Sequence, residues 1–334
     1  MDIREIDPYD ETLTHRFWEI GKAADELDRP WSTFWPWENA TAAFKHPSIA
    51  LRKTLLGAFD GDQMIGCAEI SFPLLDNTHT TCPEIFVDPR HQRRGAGAAL
   101  MRATEEVARE AGRQVLIAEV ATGLSGPESS GVQFARRLGF TVGLVDDIKV
   151  VDLVGTEGTW DALAAEAGRH AAGYELRGWL DECPEDLVDG YCRLTETFNL
   201  EAPTGDLDLE AERWDRDRLR EKETRFRRSG RHEVSIVALA PDGSVVGLTE
   251  VVVSDHRPQI GQQGGTLVAR EHRGHRLGIA MKVANHRAVR RAHPECVRLL
   301  TGNADVNEAM NAVNERLGYR TVERLVEMQK GIGA

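Results

Sequence analysis

The sequence has few cysteines and no long apolar run. Only five of its 334 residues are cysteine, at positions 67, 82, 183, 192 and 296, and no two have CxxC spacing. An odd number of widely separated cysteines predicts reduced thiols and argues against a disulfide framework or a zinc site. No stretch approaches the length of a membrane span, and the first residues lead into no apolar signal core. We therefore expect a cytoplasmic protein with no membrane partner.

The sequence also has fewer positively charged than negatively charged residues. The chain has 41 Lys and Arg residues against 54 Asp and Glu residues, so its formal net charge is −13. Such an acidic surface repels a phosphate backbone, which argues against a nucleic-acid partner. No HExxH motif, Walker loop or Ser-His-Asp spacing is present, and we expect no metal. Hydrophobic residues make up 41% of the chain, enough to form a core and to exclude general disorder.

The most informative pattern is an internal repeat. Four segments recur in the same order, three of them at an offset of 181 residues and the last at 179. The matching pairs are Met64–Ile70 with Val245–Val251, Val87 with Val268, Gly97 with Gly278, and Leu138–Phe140 with Leu317–Tyr319. This period is far longer than a solenoid repeat, so it indicates domain duplication.

The repeat predicts a domain at residues 1–155, a linker at 156–171 and a second domain at 172–334. Within the linker, Thr159 is the expected start of a short helix that ends at Gly168. Each copy contains two strands joined by a turn, at Asp60–Asp62 in copy one and at Pro241–Gly243 in copy two. In both copies further strands then alternate with helices. The predicted fold class is α+β, with a mixed, mostly antiparallel sheet and helices on both faces.

A glycine- and arginine-rich loop follows a short apolar strand in copy one. The strand, Glu84–Val87, leads into Gln92–Leu100, which opens a helix. Small residues at positions 95–98 allow an anion to approach the unpaired N–H groups of the first helical turn, and Arg93 and Arg94 add positive charge. The pattern predicts a diphosphate site. Two alternatives remain: a dinucleotide fold, which requires GxGxxG directly after the strand, and a helix start that binds nothing.

The loop resembles the acetyl-CoA signature of the GNAT superfamily of N-acetyltransferases, Gln/Arg-x-x-Gly-x-Gly/Ala after a strand that ends in Val-x-Pro. Gln92–Gly97 matches every fixed position of the signature. Arg273–Gly278 in copy two matches except at Arg276, where glycine is expected. The resemblance covers nearly the whole chain and is to the tandem, two-domain type found in bacteria.

The resemblance implies that acetyl-CoA, as cosubstrate, binds between two strands that splay apart. It also implies which residues contact this molecule, through strand ends, loops, helix starts and two asparagines. These are Ile85, Phe86, Val87, Gln92, Arg93, Arg94, Gly95, Ala96, Gly97 and Ala98 in copy one, and Leu267, Val268, Arg273, Gly274, His275, Arg276, Leu277, Gly278, Ile279, Asn303 and Asn307 in copy two.

The resemblance also implies a general base for an incoming amine. Glu84 is the candidate in copy one; its counterpart in copy two is Gly265, so Glu250 is the candidate there. A solvated strand carboxylate is the alternative for both. Many relatives use a tyrosine as the acid for the departing thiolate, but this chain has Ala135 and Asn314 at those positions, which leaves the acid unassigned. Copy one is favoured as the catalytic copy.

The residues of the acceptor site are indicated only weakly. Trp31 and Trp35 in copy one, and Asp206 and Asp208 in copy two, are candidate substrate contacts, with core packing and a solvated loop as the alternatives. We expect N-acetylation of a primary amine of a small molecule by direct attack in a ternary complex. The alternatives are a non-catalytic CoA-binding or sensing protein and an acetyltransferase that acts on a protein or peptide amine. The chain is expected to be a monomer that forms a pseudo-dimer, or a homodimer.

Overall fold

The computed structural model describes residues 1–46, 48–201 and 203–333. The chain forms two compact units, and each contains segments from distant parts of the sequence. Unit 1 comprises Met1–Val145, Thr204–Glu210 and Glu323–Ala334, and unit 2 comprises Asp146–Pro203 and Ala211–Val322. The units therefore differ from the consecutive domains expected at 1–155 and 172–334. Among the described residues, no helix has the length and apolar composition needed to cross a membrane.

Unit 1 follows the element order expected from copy one. Its elements are β1 (Asp2–Glu5), α1 (Glu11–Asp25), α2 (Trp37–Lys45), β2 (Leu51–Asp60), β3 (Gln63–Pro73), β4 (Thr80–Val87), α3 (Ala96–Glu110), β5 (Val115–Thr122), α4 (Ser130–Arg137) and the first part of β6 (Thr141–Asp152).

Unit 2 repeats this order after two short helices, the second of which is the helix expected in the linker. Its elements are α5 (Leu153–Thr156), α6 (Trp160–Gly168), β7 (Glu175–Leu180), α7 (Val188–Glu196), α8 (Phe198–Glu201), α9 (Arg216–Arg228), β8 (Arg231–Leu239), β9 (Val245–Ser254), β10 (Arg257–Val268), α10 (Leu277–Ala292), β11 (Arg298–Ala304), α11 (Glu308–Arg316) and the start of β12 (Arg320–Gly331).

The two units have the same sheet topology, and each is completed by the last strand of the other sequence copy. In unit 1 the strand order is β1-β2-β3-β4-β5-β12, and Arg324–Gly331 of β12 pair antiparallel with Val115–Thr122 of β5. In unit 2 the order is β7-β8-β9-β10-β11-β6, and Asp146–Asp152 of β6 pair antiparallel with Arg298–Ala304 of β11. The pairs β4–β5 and β10–β11 are parallel and the other neighbours in each list are antiparallel, which confirms the predicted mixed sheet.

Helices cover both faces of the sheet, because side chains alternate along each strand. In unit 1, Leu55 packs in a cluster with Phe17 of α1, whereas the adjacent Leu56 packs in a cluster with Leu100 of α3. These two contacts place α1 and α3 on opposite faces. The loop that begins α3 is thereby fixed at the carboxyl end of β4.

Unit 2 has the same two-sided core. Val237 packs with Tyr191 of α7, and the neighbouring Ile236 packs with Met281 of α10. Helices on both faces of the sheet were expected from the order of elements, so the α+β class is confirmed.

One region of the unit 2 core is polar where unit 1 is apolar. Lys282 of α10 is 1% exposed, and its ammonium donates to Oδ1 of Asn314 at 2.8 Å. Asn314 in turn donates to Oδ1 of Asn303 at 2.9 Å. Burial lowers the pKa of Lys282 to about 7. The repeat places Met101 and Ala135 of unit 1, both buried, at the positions of Lys282 and Asn314.

Replacing this pair by its unit 1 equivalents, Lys282→Met with Asn314→Ala, is expected to stabilise unit 2 by about 1 to 4 kcal/mol, because a desolvated charge is removed together with its partner. The gain in stability should be larger at about pH 6 than at about pH 10. An unfolded lysine binds its proton up to about pH 10.4, so the wild type loses stability as the pH falls from there to about 7. Denaturant unfolding at the two pH values measures the difference.

The single variant Lys282→Met is the control for that experiment. It leaves the buried Oδ1 of Asn314 without its donor, so its stability should be lower than that of the double variant. A double variant whose stability relative to wild type does not change with pH would contradict the assignment of a buried, readily deprotonated lysine.

Candidate functional site

Strands β4 and β5 separate after two paired residues. Thr80 and Thr81 pair with Val115 and Leu116, and none of residues 82–87 pairs with β5 within the part of the chain that the structure describes. The opposite edge of β4 stays in register with β3 as far as Val87. The backbone of Ile85–Val87 therefore borders an open groove, where its polar groups are available to a ligand.

The corresponding strands of unit 2 separate in the same way. The pairing of β10 with β11 ends at Gln262, and the register of β10 with β9 shifts between Gln263 and Thr266. A bulge is therefore present in unit 2. In unit 1 the register of β4 with β3 is constant from Cys82 to Val87.

The loop after each of these strands has the same backbone conformation in both units. Arg93 and Gly95 have φ angles of +63° and +90°, and their repeat counterparts Gly274 and Arg276 have +86° and +54°. Each loop thus has two residues with left-handed backbone conformation, with arginine first and glycine second in unit 1 and the reverse order in unit 2. The departure of Arg276 from the glycine signature leaves the shape of the loop intact, at the cost of a strained arginine.

In unit 1 the loop is open to an anion. No side chain caps the first turn of α3, and Arg93 and Arg94 are exposed with no hydrogen bond or ion pair to any described residue. The base of the loop is held by Asp88, which accepts from Arg16 at 2.6 Å and from Arg90 at 2.8 Å. The hydrogen bonds from Arg90 and Arg16 keep the pKa of Asp88 well below its usual range. Asp88 was not among the residues singled out in the sequence.

In unit 2 the equivalent side chains are already engaged. Arg276 forms an ion pair with Glu166 at 2.9 Å, and Arg273 forms one with Glu201. Nδ1 of His275 lies 3.1 Å from the carbonyl oxygen of His170. The positive charge that the sequence offers to a phosphate is therefore partly neutralised within unit 2.

Glu84 lies on the part of β4 that is not paired with β5, directly across from Glu69 of β3. Glu69 is paired with Lys53, whereas Glu84 makes no hydrogen bond or ion pair with any described residue. Its side chain is reached by solvent although protein groups surround its carboxylate. This partial burial, together with the charges of Glu69 and Glu119, raises the pKa of Glu84 to about 7. An unpaired carboxylate with this pKa can accept a proton at neutral pH.

The corresponding place in unit 2 is filled. A Cβ atom at Gly265, the counterpart of Glu84, would lie 2.9 Å from the ring of Phe198. Burial raises the pKa of Glu250 to about 7. Its carboxylate accepts the hydroxyl of Tyr191, and Nζ of Lys222 lies 3.6 Å from it. Glu250 is thus tied into the packing of α7 and α9 on the sheet.

Several other predicted ligand contacts have structural roles in the protein. Ala96, Leu277 and Ile279 are buried, so only their backbone groups can reach a ligand. A Cβ atom at Gly97 would lie 3.2 Å from the ring of Phe134, so this glycine permits close packing of α3 on α4.

The two predicted asparagine contacts are also occupied. The side chain of Asn307 caps α11 by accepting from the backbone N–H of Met310 at 3.2 Å. Asn303 donates to Asn311 at 2.7 Å and accepts from Asn314. Both amides are therefore held by neighbouring residues of unit 2.

The segment between α1 and α2 covers β4 on the face that carries Glu84. The ring of Phe34 packs edge-on against Phe86, with centroids 5.6 Å apart. Trp35 is 47% exposed and its carbonyl oxygen accepts from the indole of Trp18 at 2.8 Å, whereas Trp31 is half-buried. Sequence reasoning singled out the tryptophans but missed Phe34.

The structure does not place Asp206 and Asp208 in unit 2, where the sequence analysis located them. Their segment, residues 204–210, packs in unit 1. His79 lies 3.3 Å from the carboxylate of Asp208, and Gln329 donates to the carbonyl oxygen of Asp206 at 2.5 Å. This position corrects the prediction of an acidic patch in the copy two cleft, because the chain leaves unit 2 between α8 and α9.

Comparison with known proteins agrees with this geometry. Residues 16–140 match the family model of the acetyltransferase (GNAT) family. No curated protein sequence matches the chain.

Three solved structures share the fold over nearly the whole chain. A tandem GNAT protein from the clavulanic acid biosynthesis pathway, without acetyl-CoA, has a TM-score of 0.83 and 26% identity, covering 100% of this chain and 99% of that one. A GCN5-related N-acetyltransferase from Sphaerobacter thermophilus has a TM-score of 0.66 and 14% identity over 100% and 96% of the two chains. A glucosamine N-acetyltransferase region of a fungal multi-domain β-N-acetylglucosaminidase has a TM-score of 0.66 and 13% identity over 98% and 38%. The last two show the fold alone.

The repeated signature loops, the splayed strands, the family match and the tandem relative lead to one conclusion. Residues 16–140 match the GNAT acetyltransferase family, and the whole chain has the fold of a tandem GNAT protein.

Proposed function

We propose that the protein transfers an acetyl group from acetyl-CoA to a primary amine of a small molecule, and that unit 1 carries the catalytic site. Acyl transfer from acetyl-CoA follows from the family; the acceptor and the mechanism are the proposal. The observation that carries it is Glu84, an unpaired carboxylate with a pKa of about 7 beside the groove between β4 and β5.

Glu84 is suited to the role of general base. An alkylamine has a pKa near about 10, so it must lose a proton before its nitrogen can attack. In the proposed reaction a bond forms between the amine nitrogen and the acetyl carbon, Glu84 takes the proton, and the carbon–sulfur bond breaks as the thiolate leaves. When bound, acetyl-CoA supplies an activated carbonyl whose thiolate leaving group has a conjugate-acid pKa of about 8 to 9. Such a leaving group can take its proton from solvent, which accommodates Ala135 at the position of the usual tyrosine.

The edge of β4 is suited to stabilising the transition state. The backbone N–H groups of Ile85–Val87 border the groove, and those that face it are fixed in direction by the pairing of β4 with β3. Donors held in this way stabilise a developing oxyanion without having to reorganise, by about 3 to 4 kcal/mol per donor in other enzymes.

Direct attack is favoured over a covalent enzyme intermediate. Cys82 is the thiol closest in sequence to Glu84, two residues away on the same face of β4. Burial and the carboxylates of Glu119 and Glu84 raise the pKa of the Cys82 thiol to about 11. A thiol that stays protonated at neutral pH is a poor nucleophile, so a ternary complex is the simpler route.

Unit 2 is proposed as a scaffold with little affinity for acetyl-CoA. Its loop arginines are paired with Glu166 and Glu201, and Phe198 fills the space beside Gly265. In unit 1 the same positions have free arginines and Glu84. The tryptophans Trp31 and Trp35, near Phe34, are the proposed acceptor contacts.

Calorimetric titration with CoA tests this asymmetry. The paired variant Arg93→Ala/Arg94→Ala is expected to weaken CoA binding by at least about tenfold, because charge-assisted hydrogen bonds to phosphate are lost. The matched variant Arg273→Ala/Arg276→Ala should change the affinity for CoA by less than about threefold. These two arginines are already paired with glutamates, so in the wild type they contribute little to binding CoA. Two equivalent sites per chain would contradict the proposed asymmetry, and a larger loss in the second variant would place the main CoA site in unit 2.

The acceptor can be identified by following release of the CoA thiol with a panel of amines. Because the tandem relative belongs to clavulanic acid biosynthesis, amine-bearing biosynthetic intermediates belong in the panel beside aminoglycosides and amino sugars. Peptides with a free N-terminus or lysine test the protein-directed alternative. Tight binding of CoA with no release from any amine would favour the sensing alternative instead.

A further inference from the structure

Unit 2 contains a cavity of about 260 Å³ that is separate from its signature loop. The cavity is lined by Glu157 from the turn before α6, by Trp160 at the start of α6, and by Arg287, Arg290 and Arg291 near the end of α10. These arginines lie ten or more residues beyond the first residue of α10, which places them about 15 Å or more along the helix from the signature loop. A ligand held here is therefore distinct from a pyrophosphate at the start of α10.

The lining has an excess of positive charge. Three guanidinium groups face a single carboxylate, that of Glu157. Arg287 is paired with Asp161, whose side chain is 98% exposed, and an ion pair so open to water restrains the arginine weakly. Arg291 is exposed and has no hydrogen bond or ion pair among the described residues. Cations at the end of a helix are ordinary, since they complement the helix dipole, so charge alone does not define a site.

The second observation is a pair of buried N–H donors without acceptors. Trp160 is 2% exposed, and its indole Nε1 has no hydrogen-bond partner among the described residues. The same holds for Nε of Arg290, although another nitrogen of that side chain donates to the carbonyl oxygen of Cys296 at 3.0 Å. Buried donors are almost always satisfied in folded proteins, so these two side chains of the lining have hydrogen-bonding capacity that the described residues do not meet.

The repeat provides an internal comparison. At an offset of 181 residues, the counterparts of Arg287, Arg290 and Arg291 are Glu106, Arg109 and Glu110 in α3. Two of the three charges are thus reversed in unit 1. The arginine cluster is therefore a property of unit 2 alone and not a requirement of the fold.

We infer that this cavity binds a small dianion, specifically a phosphate group carried by inorganic phosphate or by a phosphate monoester. Arginine forks match phosphate oxygens, and the net positive charge of the lining suits a doubly charged group better than a single carboxylate. The cavity volume accommodates a phosphate with a short substituent. The inference does not depend on acetyl transfer.

Titration of inorganic phosphate into the full chain tests the inference. The Arg93→Ala/Arg94→Ala background is used so that phosphate at the unit 1 loop does not contribute heat. In that background Arg291→Ala is expected to weaken phosphate binding by at least about tenfold, and Glu157→Gln to strengthen it by about threefold or more. Arg291 is the preferred variant because it is exposed, whereas Arg290 also holds the end of α10 through Cys296.

The source of the phosphate is resolved by a second set of titrations. Competition by glycerol phosphate but not by glycerol would identify a monoester site. If CoA displaces phosphate and dephospho-CoA does not, the 3′-phosphate of CoA is the occupant. Absence of phosphate binding at millimolar concentration, or equal affinity in the Arg291→Ala and Glu157→Gln variants, would overturn the inference.

Discussion

Replacing Glu84 by glutamine is expected to lower kcat for acetyl transfer by about 100-fold or more, because a positioned general base contributes a factor of about 10² to 10⁴. The amide has nearly the same shape as the carboxyl group and cannot accept the proton of the amine. Release of the CoA thiol with the best acceptor is the measurement. The affinity for CoA, measured by calorimetry, should change little, since Glu84 lies outside the loop that is proposed to hold the phosphates.

The pH dependence of the same reaction separates a base from a structural carboxylate. In the wild type the rate should rise with pH through the pKa of Glu84, about 7, because only the ionised carboxylate accepts a proton. In the Glu84→Gln variant this step should vanish and leave only the rise due to ionisation of the amine near about pH 10.

Glu250→Gln is the matched control. Glu250 also has a pKa raised to about 7, but it is held by Tyr191 in the core of unit 2, so its loss should leave kcat within about threefold of wild type. A large loss in Glu250→Gln with little change in Glu84→Gln would assign catalysis to unit 2.

Misfolding cannot account for the expected loss in Glu84→Gln. The folded-state pKa of Glu84 lies above its ordinary value, so the folded state binds more protons than the unfolded state between about pH 4.5 and 7. Wild-type stability therefore falls across this interval as pH rises, and the reduction persists above pH 7. The glutamine variant does not ionise and so avoids this reduction in stability. At neutral pH it should be as stable as the wild type or more stable, by up to about 1 kcal/mol, because the side chain is exposed.

Met328→Ala is expected to destabilise unit 1 by about 2 to 5 kcal/mol, although Met328 lies in the second sequence copy. Met328 is fully buried among Met101, Leu116 and Phe140, on the strand β12 that completes the unit 1 sheet. The substitution leaves a cavity beneath α3 and α4. Hydrogen exchange should show lost protection in residues 80–140, with a smaller change in residues 230–320.

Val151→Ala provides the reciprocal comparison. Val151 is 1% exposed and lies on β6, which completes the unit 2 sheet, so its substitution should weaken protection in unit 2 although it belongs to copy one. If Met328→Ala instead reduced protection mainly in residues 230–320, the exchange of terminal strands would be wrong.

Much of the fold follows from local sequence patterns. The strands around the turn at Asp60–Asp62, the loop at Gln92–Gly97 and its second copy were all recognisable because turn residues, alternation and a helix start act over short distances. The same applies to the helix expected in the linker, which forms at Trp160–Gly168. Because the sequence repeats, an element predicted in one copy was also predicted at the matching position of the other copy.

The contents of the two units did not follow, because they depend on contacts between distant residues. The alternating residues of β6 are equally compatible with pairing in either unit, so the local pattern does not determine which sheet this strand completes. Asp206 and Asp208 were assigned to copy two by their place in the sequence, whereas their segment packs in unit 1. The sequence shows that the counterpart of Glu84 in copy two is a glycine, Gly265. Only the structure shows that the ring of Phe198 fills the space beside that glycine.

The position of β12 has a consequence for how the protein is made. Residues 115–122 leave the ribosome long before residues 324–331, with which they pair. Unit 1 therefore cannot complete its sheet until residues of the second sequence copy have been synthesised, and the edge of β5 stays unpaired until then. Such late, distant pairing slows folding and exposes an aggregation-prone edge, so the two halves of this gene cannot be separated by fission without each losing a strand.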